Sequence, residues 1–493
     1  MRLSGLTMAP FDGVAAGRRI IRRDGRIVSA SDLASRSWWH GPSLHAALAS
    51  GDLSGGRHAR SLRLRMLSGS ILAVPLMVSA GVARAQAIQP LVTPTIEPDY
   101  NRGRNISVNE MYDPNYDALG VRFGSIVAFP SIGVITGVTT NVYANNDFKR
   151  EDGYYIFQPA VRVTTDLPVH KVTVIANADI QRYAHETLRN QNPYNVLAEG
   201  QLDLGSDLQV IGRVQYSRSS ESPYTTDLAS NISVLSEYTR FVPSLSVVYK
   251  VGRMRITGKV DRTELGFKPI TFQDGTVRSQ RDRDRTLDRA SIQAEYALSP
   301  SIAVFGQANL DKTVYPQLDD SGTANRGSKG GSFLAGFNFD LAGLMRGSIA
   351  GGYVKREYKS AAFNDGDGFL WQIQTEFFVS PLTTVGVGAQ RLIQDSNLTN
   401  DGAYSDIRAT VAVDHALLRN LVISGNFSVV KQERLNTHTT SRFTSGGVSG
   451  RYQSNRFVTV GGNIQYARGR PGVNAPSVPF DEVRGQVFVR FRR

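Results

Sequence analysis

From Ser125 to Arg493 one pattern recurs: apolar and polar residues alternate with a period of two over runs of about ten residues. In residues 172–180, Val172, Val174, Ala176, Ala178 and Ile180 alternate with Thr173, Asn177 and Asp179. In 208–217, Leu208, Val210, Val214 and Tyr216 alternate with Gln209, Arg213, Gln215 and Ser217. The runs 291–298 (Ile292, Ala294, Tyr296, Leu298), 371–379 (Trp371, Ile373, Phe377, Val379) and 458–466 (Val458, Val460, Ile464, Tyr466) repeat it. Successive side chains of a strand point to opposite faces, so each run has one apolar and one polar face. A soluble sandwich alternates in the same way, but over strands of about five or six residues. The longer runs here suit tilted strands that cross a bilayer.

The connections alternate as well. Tight turns fall at Leu167-Pro168, Ser206-Asp207, Val251-Gly252, Ser299-Pro300, Ala342-Gly343, Ser380-Pro381, Arg419-Asn420 and Asn455-Arg456. Longer polar stretches lie between them, such as 220–236, 267–283 and 315–329. The repeat is therefore a hairpin of about 40 residues. Short turns on one side and long loops on the other describe an outer-membrane barrel. The expected fold is all-β: an antiparallel transmembrane β-barrel over residues 125–493. It should have about 18 strands, with about 16 as the alternative count. An even number leaves both termini on the periplasmic side. The run Gly485, Val487, Val489, Phe491, interleaved with Gln486, Arg490 and Arg492, supplies a final strand to close against the first.

Aromatic residues are expected in two belts, since a ring with a polar tip prefers the membrane interface. Tyr143, Tyr154, Tyr155, Tyr183, Tyr194, Tyr216, Tyr238, Tyr404 and Tyr466 stand near the long loops, and Tyr249, Tyr296, Tyr452 and Phe457 near the short turns.

Upstream, residues 66–82 form the one long apolar run, preceded by Arg57, Arg60, Arg63 and Arg65 and followed by Ala83-Arg84-Ala85. This is the order of a secretory signal peptide, with cleavage expected after Ala85. The run is too short to span a bilayer comfortably. The Arg-, Ser- and Gly-rich stretch before it suggests a translation start downstream of Met1. Residues 1–85 are thus set aside as an address. Residues 86–124 are rich in Pro, Asn and Asp and lack a period, which predicts a flexible periplasmic extension.

The formal charge of +13 invites a nucleic-acid reading, but its distribution opposes one. Residues 1–85 hold 12 Lys+Arg against 4 Asp+Glu, a net of +8, and the remainder 44 against 39, a net of +5. No compact basic run with interleaved aromatics is present, so no nucleic-acid partner is expected. Cysteine is absent, which removes disulfides and Cys-ligated metals. The four histidines after residue 85, His170, His185, His415 and His438, show no metal-ligand spacing. No nucleophile, base and orienting group assemble, so no catalytic residue, metal or cofactor is expected. His185-Glu186 reads as loop polarity. The run Arg278–Arg285 (RSQRDRDR), with Arg442 and Arg468, reads either as solvated surface or as contacts to lipopolysaccharide phosphates.

Alternation also assigns the lumen. Asp179, Arg213, Lys259, Glu295 and Glu376 should point inward, giving a wall of mixed sign. Near the short turns stand Lys250, Arg253, Arg255 and Arg346, with Arg419, Arg451, Arg456, Arg490 and Arg492, against Asp166, Asp207, Asp340 and Asp414. A basic rim at a low-dielectric mouth would concentrate anions.

Residues 112–134 read YDPNYDALGVRFGSIVAFPSIGV, and NVYANND follows at 141–147. Gly120, Arg122, Gly124, Ser125, Pro130 and Ser131 resemble the opening of the "putative β-barrel porin" family of proteobacterial outer membranes. Ala118 stands where that pattern has Pro. The resemblance covers about residues 112–493. It implies an outer-membrane barrel, in some members encoded beside exopolysaccharide genes, and no catalytic residue. The expected function is a porin-like channel for a polysaccharide or small anionic solutes, with a non-conducting barrel of an envelope or exopolysaccharide-export complex as the alternative. Expected partners are outer-membrane lipids, lipopolysaccharide and polysaccharide-export components, with the oligomeric state left open.

Overall fold

In the computed structural model the described residues are 21–23, 26–28, 96 and 98–493, apart from 223, 225–231, 318–324, 397–401, 474 and 476. The chain divides into two compact units, residues 1–65 and 66–493. In the first, Ile21–Arg23 pairs antiparallel with Arg26–Val28. The signal segment and its cleavage site lie outside the described residues.

In the second unit eighteen antiparallel strands close into a barrel. They are β1 Ile126–Thr139, β2 Asp152–Thr165, β3 Lys171–Ala178 continued by Ile180–Tyr183, β4 Tyr194–Leu204, β5 Leu208–Ser220, β6 Glu237–Val251, β7 Met254–Phe267, β8 Arg285–Ser299 and β9 Ile302–Val314. The second half holds β10 Ser328–Leu341, β11 Met345–Tyr358, β12 Gly366–Ser380, β13 Thr383–Asp395, β14 Ala403–Leu418, β15 Leu421–Arg434, β16 Thr440–Gln453, β17 Val458–Arg470 and β18 Phe480–Arg492. The last strand closes on the first, from Arg484 opposite Thr139 to Arg492 opposite Ser131. Closure pairs every strand on both sides, which is what a sheet needs where no water can satisfy its edges. All eight tight turns fall where the sequence put them.

Exposure follows the alternation. Val172, Val174, Val214, Ile292, Leu298, Phe337, Val448, Ile464 and Val487 are exposed on the outer face, while Gln293, Glu295, Asn463, Gln465 and Gln486 are buried inside. The interior is therefore polar and the apolar surface faces lipid. The inner face also carries apolar residues that periodicity did not assign to it: Val127, Ile135 and Ile175 are buried there, with Ile135 against Phe488. The belts are partly as expected. Tyr155, Tyr216 and Tyr466 are exposed at the long-loop end, and Tyr249, Tyr296, Tyr452 and Phe457 at the other. Tyr154, Tyr183 and Tyr238 instead turn inward; the first two are buried, with ring centroids 5.7 Å apart and the planes tilted by 51°, and Tyr238 packs on Phe267. Their position along the strand matches a belt but their parity does not.

Prolines and glycines explain local departures. Pro159 offers no N–H to a neighbour, and opposite it β3 breaks at Asp179, whose own N–H turns to Pro193 O. Pro130 lies one residue beyond the last pairing with β18, so its missing N–H leaves no ladder bond unmade. Gly120 and Gly124 adopt φ of +72° and +59°. They bracket Val121–Phe123, which folds back on the start of β1. A Cβ at Gly120 would sit 2.8 Å from Val127, so both the dihedral and the space demand glycine. Arg122, between them, pairs with Asp166 at 2.7 Å across the first short turn.

Candidate functional site

All five sequence-derived lumen residues lie on the inner face, mostly with partners. Asp179 accepts from Gln158 Nε2 at 2.7 Å. Arg213 lies 3.2 Å from Glu199. Lys259 stands between Ser246 and Ser291 in register. Glu295 is 3 % exposed and takes Arg255 at 2.7 Å, Asn338 Nδ2 at 2.8 Å and Arg102. Glu376 takes Arg346 at 2.7 Å. Further pairs line the same wall: Arg289 with Asp261 at 2.6 Å, and Arg356 with Asp311 and Asp395, each at 2.6 Å. Charges withdrawn from bulk water this far need such partners.

The short-turn end faces the periplasm in barrels of this build. It departs from the sequence reading. Residues 98–119 do not hang free as a mobile extension but run bonded along the inner wall. The contacts pass round the barrel from β7 to β18, with Glu110 reaching back to β11. Asp99 pairs with Arg255 on β7, and Arg102 with Glu295 on β8. The backbone N–H groups of Arg102 and Arg104 donate to Asp340 at 2.7 and 3.2 Å. Asn105 Nδ2 donates to Asp340, and Gly343 N donates to Asn105 Oδ1 at 2.7 Å. Val108 is 4 % exposed, packed on Ala416 and Val422, with its N–H on Thr384 Oγ1 at 3.1 Å. Glu110 takes Arg346 at 2.8 Å and Ser107 N at 3.0 Å. Asn109 Oδ1 accepts from Arg451 at 3.1 Å, and the Tyr116 carbonyl from Arg492 at 2.6 Å.

This strap sorts the basic rim. Arg255 and Arg346 are not open charges at the mouth; strap and wall carboxylates hold both. Lys250 faces inward near Asp99 and Arg255. Arg253 is exposed on its turn, outside the wall. Aperiodic sequence gave no strand or helix signal for the strap. The one available hint was electrostatic, since Asp99 and Glu110 complement a basic rim.

The long-loop end also carries chain inside the cylinder. Tyr224, from the connection between β5 and β6, lies against Phe443 on β16 and Phe480 on β18, with ring centroids 5.6 and 5.3 Å apart. Its hydroxyl donates to Glu482 and accepts from Arg484 at 3.1 Å. Burial pushes this phenol well above its ordinary range, so it remains a neutral donor. Ile232–Val234, Ile270–Phe272 and Val277–Arg278, from two neighbouring connections, form a small three-stranded sheet. The RSQRDRDR run belongs partly to this layer. Arg283 is buried, bonded to Glu221 and Gln280 and set 4.2 Å from the Phe267 ring. Arg285 is buried too, so neither offers a lipid-facing contact, whereas Arg278 and Arg281 are exposed. Arg442 and Arg468 are exposed on the outer face. His185 and Glu186 anchor a loop: both backbone N–H groups donate to Asp152, at 2.9 and 2.8 Å. Among the described residues no three His, Asp or Glu side chains gather as a metal site would need.

A family model described as "Putative beta-barrel porin 2" matches residues 113–493. No curated protein sequence matches the chain. Among solved structures, the outer membrane protein opdK of Pseudomonas aeruginosa is similar at 12 % identity and TM-score 0.40, covering 74 % of this chain and 99 % of that one. A BenF-like porin of Pseudomonas fluorescens Pf-5 is similar at 12 % identity and TM-score 0.41, with 75 % and 100 % covered. A mutant ferric enterobactin receptor (PfeA) of Pseudomonas aeruginosa is similar at 6 % identity and TM-score 0.43, with 74 % and 80 % covered. Matched from the strap's second half to its last residue, the chain belongs to the "Putative beta-barrel porin 2" family and is a porin-like β-barrel of the outer membrane.

Proposed function

We propose that the barrel is a non-enzymatic channel for small anionic solutes or for an acidic polysaccharide segment entering from the periplasm. The observation that carries this reading is the inner face itself. It is polar, charged and built from ordered side chains over many strands, and several of its arginines near the short-turn mouth have neutral partners. A lumen kept polar at the cost of burying charge suits traffic of charged solutes better than a purely mechanical role.

The alternative, a non-conducting barrel that serves an envelope or polysaccharide-export assembly, draws on a different observation. The strap and the Tyr224 connection put chain inside the cylinder at both ends. Single-channel recording on refolded protein separates the two. Discrete conductance steps support the channel; a silent barrel that keeps its heat-modifiable mobility supports the structural role.

Partners follow from the outer face. At the long-loop end Arg262–Asp288 and Lys355–Glu357 pair there at 2.6 and 2.7 Å, with Arg442 and Arg468 nearby in kind. We read this charged level as lying among lipopolysaccharide headgroups.

A further inference from the structure

We propose that Arg451, Arg490 and Arg492 form a binding site for a small oxyanion, a carboxylate or phosphate group, on the inner wall at the periplasmic mouth. The three lie on the inward faces of β16 and β18. In register, Arg451 is opposite Gly461 on β17 and Arg490 is opposite Thr459. Between them Thr459 is short and buried, and the Phe488 ring lies over Gly461 and packs the wall beside the arginines. Arg492 is two residues on from Arg490, on the same face. The charge of Arg451 acts on both of the others, so three guanidinium groups are held together against their mutual repulsion.

Their partners set this cluster apart from the rest of the rim. Arg255 and Arg346 each pair with two carboxylates. Arg451 instead donates to the amide oxygen of Asn109, and Arg492 to the carbonyl of Tyr116. Both acceptors belong to the strap, and both are uncharged. The Nε atoms of Arg451 and Arg492 are buried and have no partner. Arg490 donates to Gln158 Oε1 at 3.2 Å, and the same amide donates to Asp179. Gln158 thus stands between Arg490 and that carboxylate, and Gly133, opposite both, leaves room for the span. Asp117 and Asp414 act on Arg451, and Asp117 on Arg492, through space, while their own hydrogen bonds go to neutral donors. Asp117 accepts from Asp113 N at 2.7 Å, and Asp414 from Ser424 Oγ at 2.5 Å.

Planar guanidinium forks match an oxyanion in charge and geometry. A neutral acceptor orients such a fork without cancelling it. The strap that neutralises one sector of the rim therefore holds this sector open to an anion. The proposal deepens the channel reading, in which this site is the first station for a solute from the periplasm, but binding itself needs no current.

The test is equilibrium dialysis of the detergent-refolded barrel against radiolabelled orthophosphate at low ionic strength. The expected result is saturable binding that weakens by about tenfold or more in Arg451→Gln/Arg492→Gln, the scale of losing a charge-assisted bond. Arg419→Gln removes one such charge from an exposed turn at the same end, and should change affinity by less than about twofold. Arg451→Lys keeps the charge without the fork and should fall between, which covers a double variant that does not fold. Absence of saturable binding in the wild-type barrel, or equal affinity in the double variant and the turn control, overturns the site. A barrel that binds phosphate but never conducts sinks the channel reading and leaves the site; one that conducts but does not bind does the reverse.

Discussion

The two mouths of the barrel are furnished by different physics. At the short-turn end a backbone strap is fixed to the wall by charge: Asp99 and Glu110 face Arg255 and Arg346, and Arg102 faces Glu295. At the long-loop end Tyr224 is fixed by aromatic packing on Phe443 and Phe480, with one hydroxyl set between Glu482 and Arg484. The difference teaches that the charged mouth depends on every partner being present. Removing one member of a buried pair strands the other, whereas a packed ring loses only its own contacts.

The largest effect should come from the charged end. Glu295→Ala leaves Arg102 without its carboxylate and Arg255 with Asp99 alone. The expected cost is about 3 kcal/mol or more in urea unfolding from detergent or vesicles, with faster amide exchange over residues 98–119. A loss below about 1 kcal/mol would show that the strap is not held by these charges. At the other end, Tyr224→Ala should cost about 2 kcal/mol, less than a core aromatic, because a connection can relax into the space. It should also raise single-channel conductance while exchange of the strap stays as in the wild type. Unchanged conductance would mean that Tyr224 does not narrow the path. Tyr224→Phe keeps the ring and should cost about 1 kcal/mol, the size of one hydrogen bond.

The smallest effect is a titration at the long-loop end. Tyr143 donates to Glu186 at 2.7 Å, and burial, then this bond, push its phenol up from 10.0 to about 12. The folded state therefore holds this proton more tightly than the unfolded one. Its contribution is fully present below the ordinary value and is lost as pH rises from about 10 through about 12. The difference in phenolate absorbance between the wild type and Tyr143→Phe should titrate near 12. A difference spectrum that titrates near 10 would place Tyr143 in free solvent.

The barrel was legible in sequence because a period of two is a property of the backbone, visible wherever one face must be apolar. Ile292, Ile464 and the eight tight turns needed nothing else, and the same parity brought Asp179, Arg213, Lys259, Glu295 and Glu376 inward. Parity says which face a residue occupies, but not what lies against that face. Tyr154 and Tyr183 stood at the right height for a belt and point the other way. Arg283 and Arg285 looked like loop surface and are buried by a neighbouring connection, a contact with no local trace in the chain. The strap has no period at all. Its place on the wall comes from complementary charge more than a hundred residues away, as between Asp99 and Arg255, and counting rim arginines could not reveal which ones it would cancel.

The central claim is that the lumen passes anions, and the reversal potential across a planar bilayer under a potassium chloride gradient tests it most directly. The expected result is discrete conductance with a reversal potential on the anion side, moving toward zero in Arg451→Gln/Arg492→Gln. A cation-selective barrel would contradict the claim, and a silent one would contradict it in favour of the structural role.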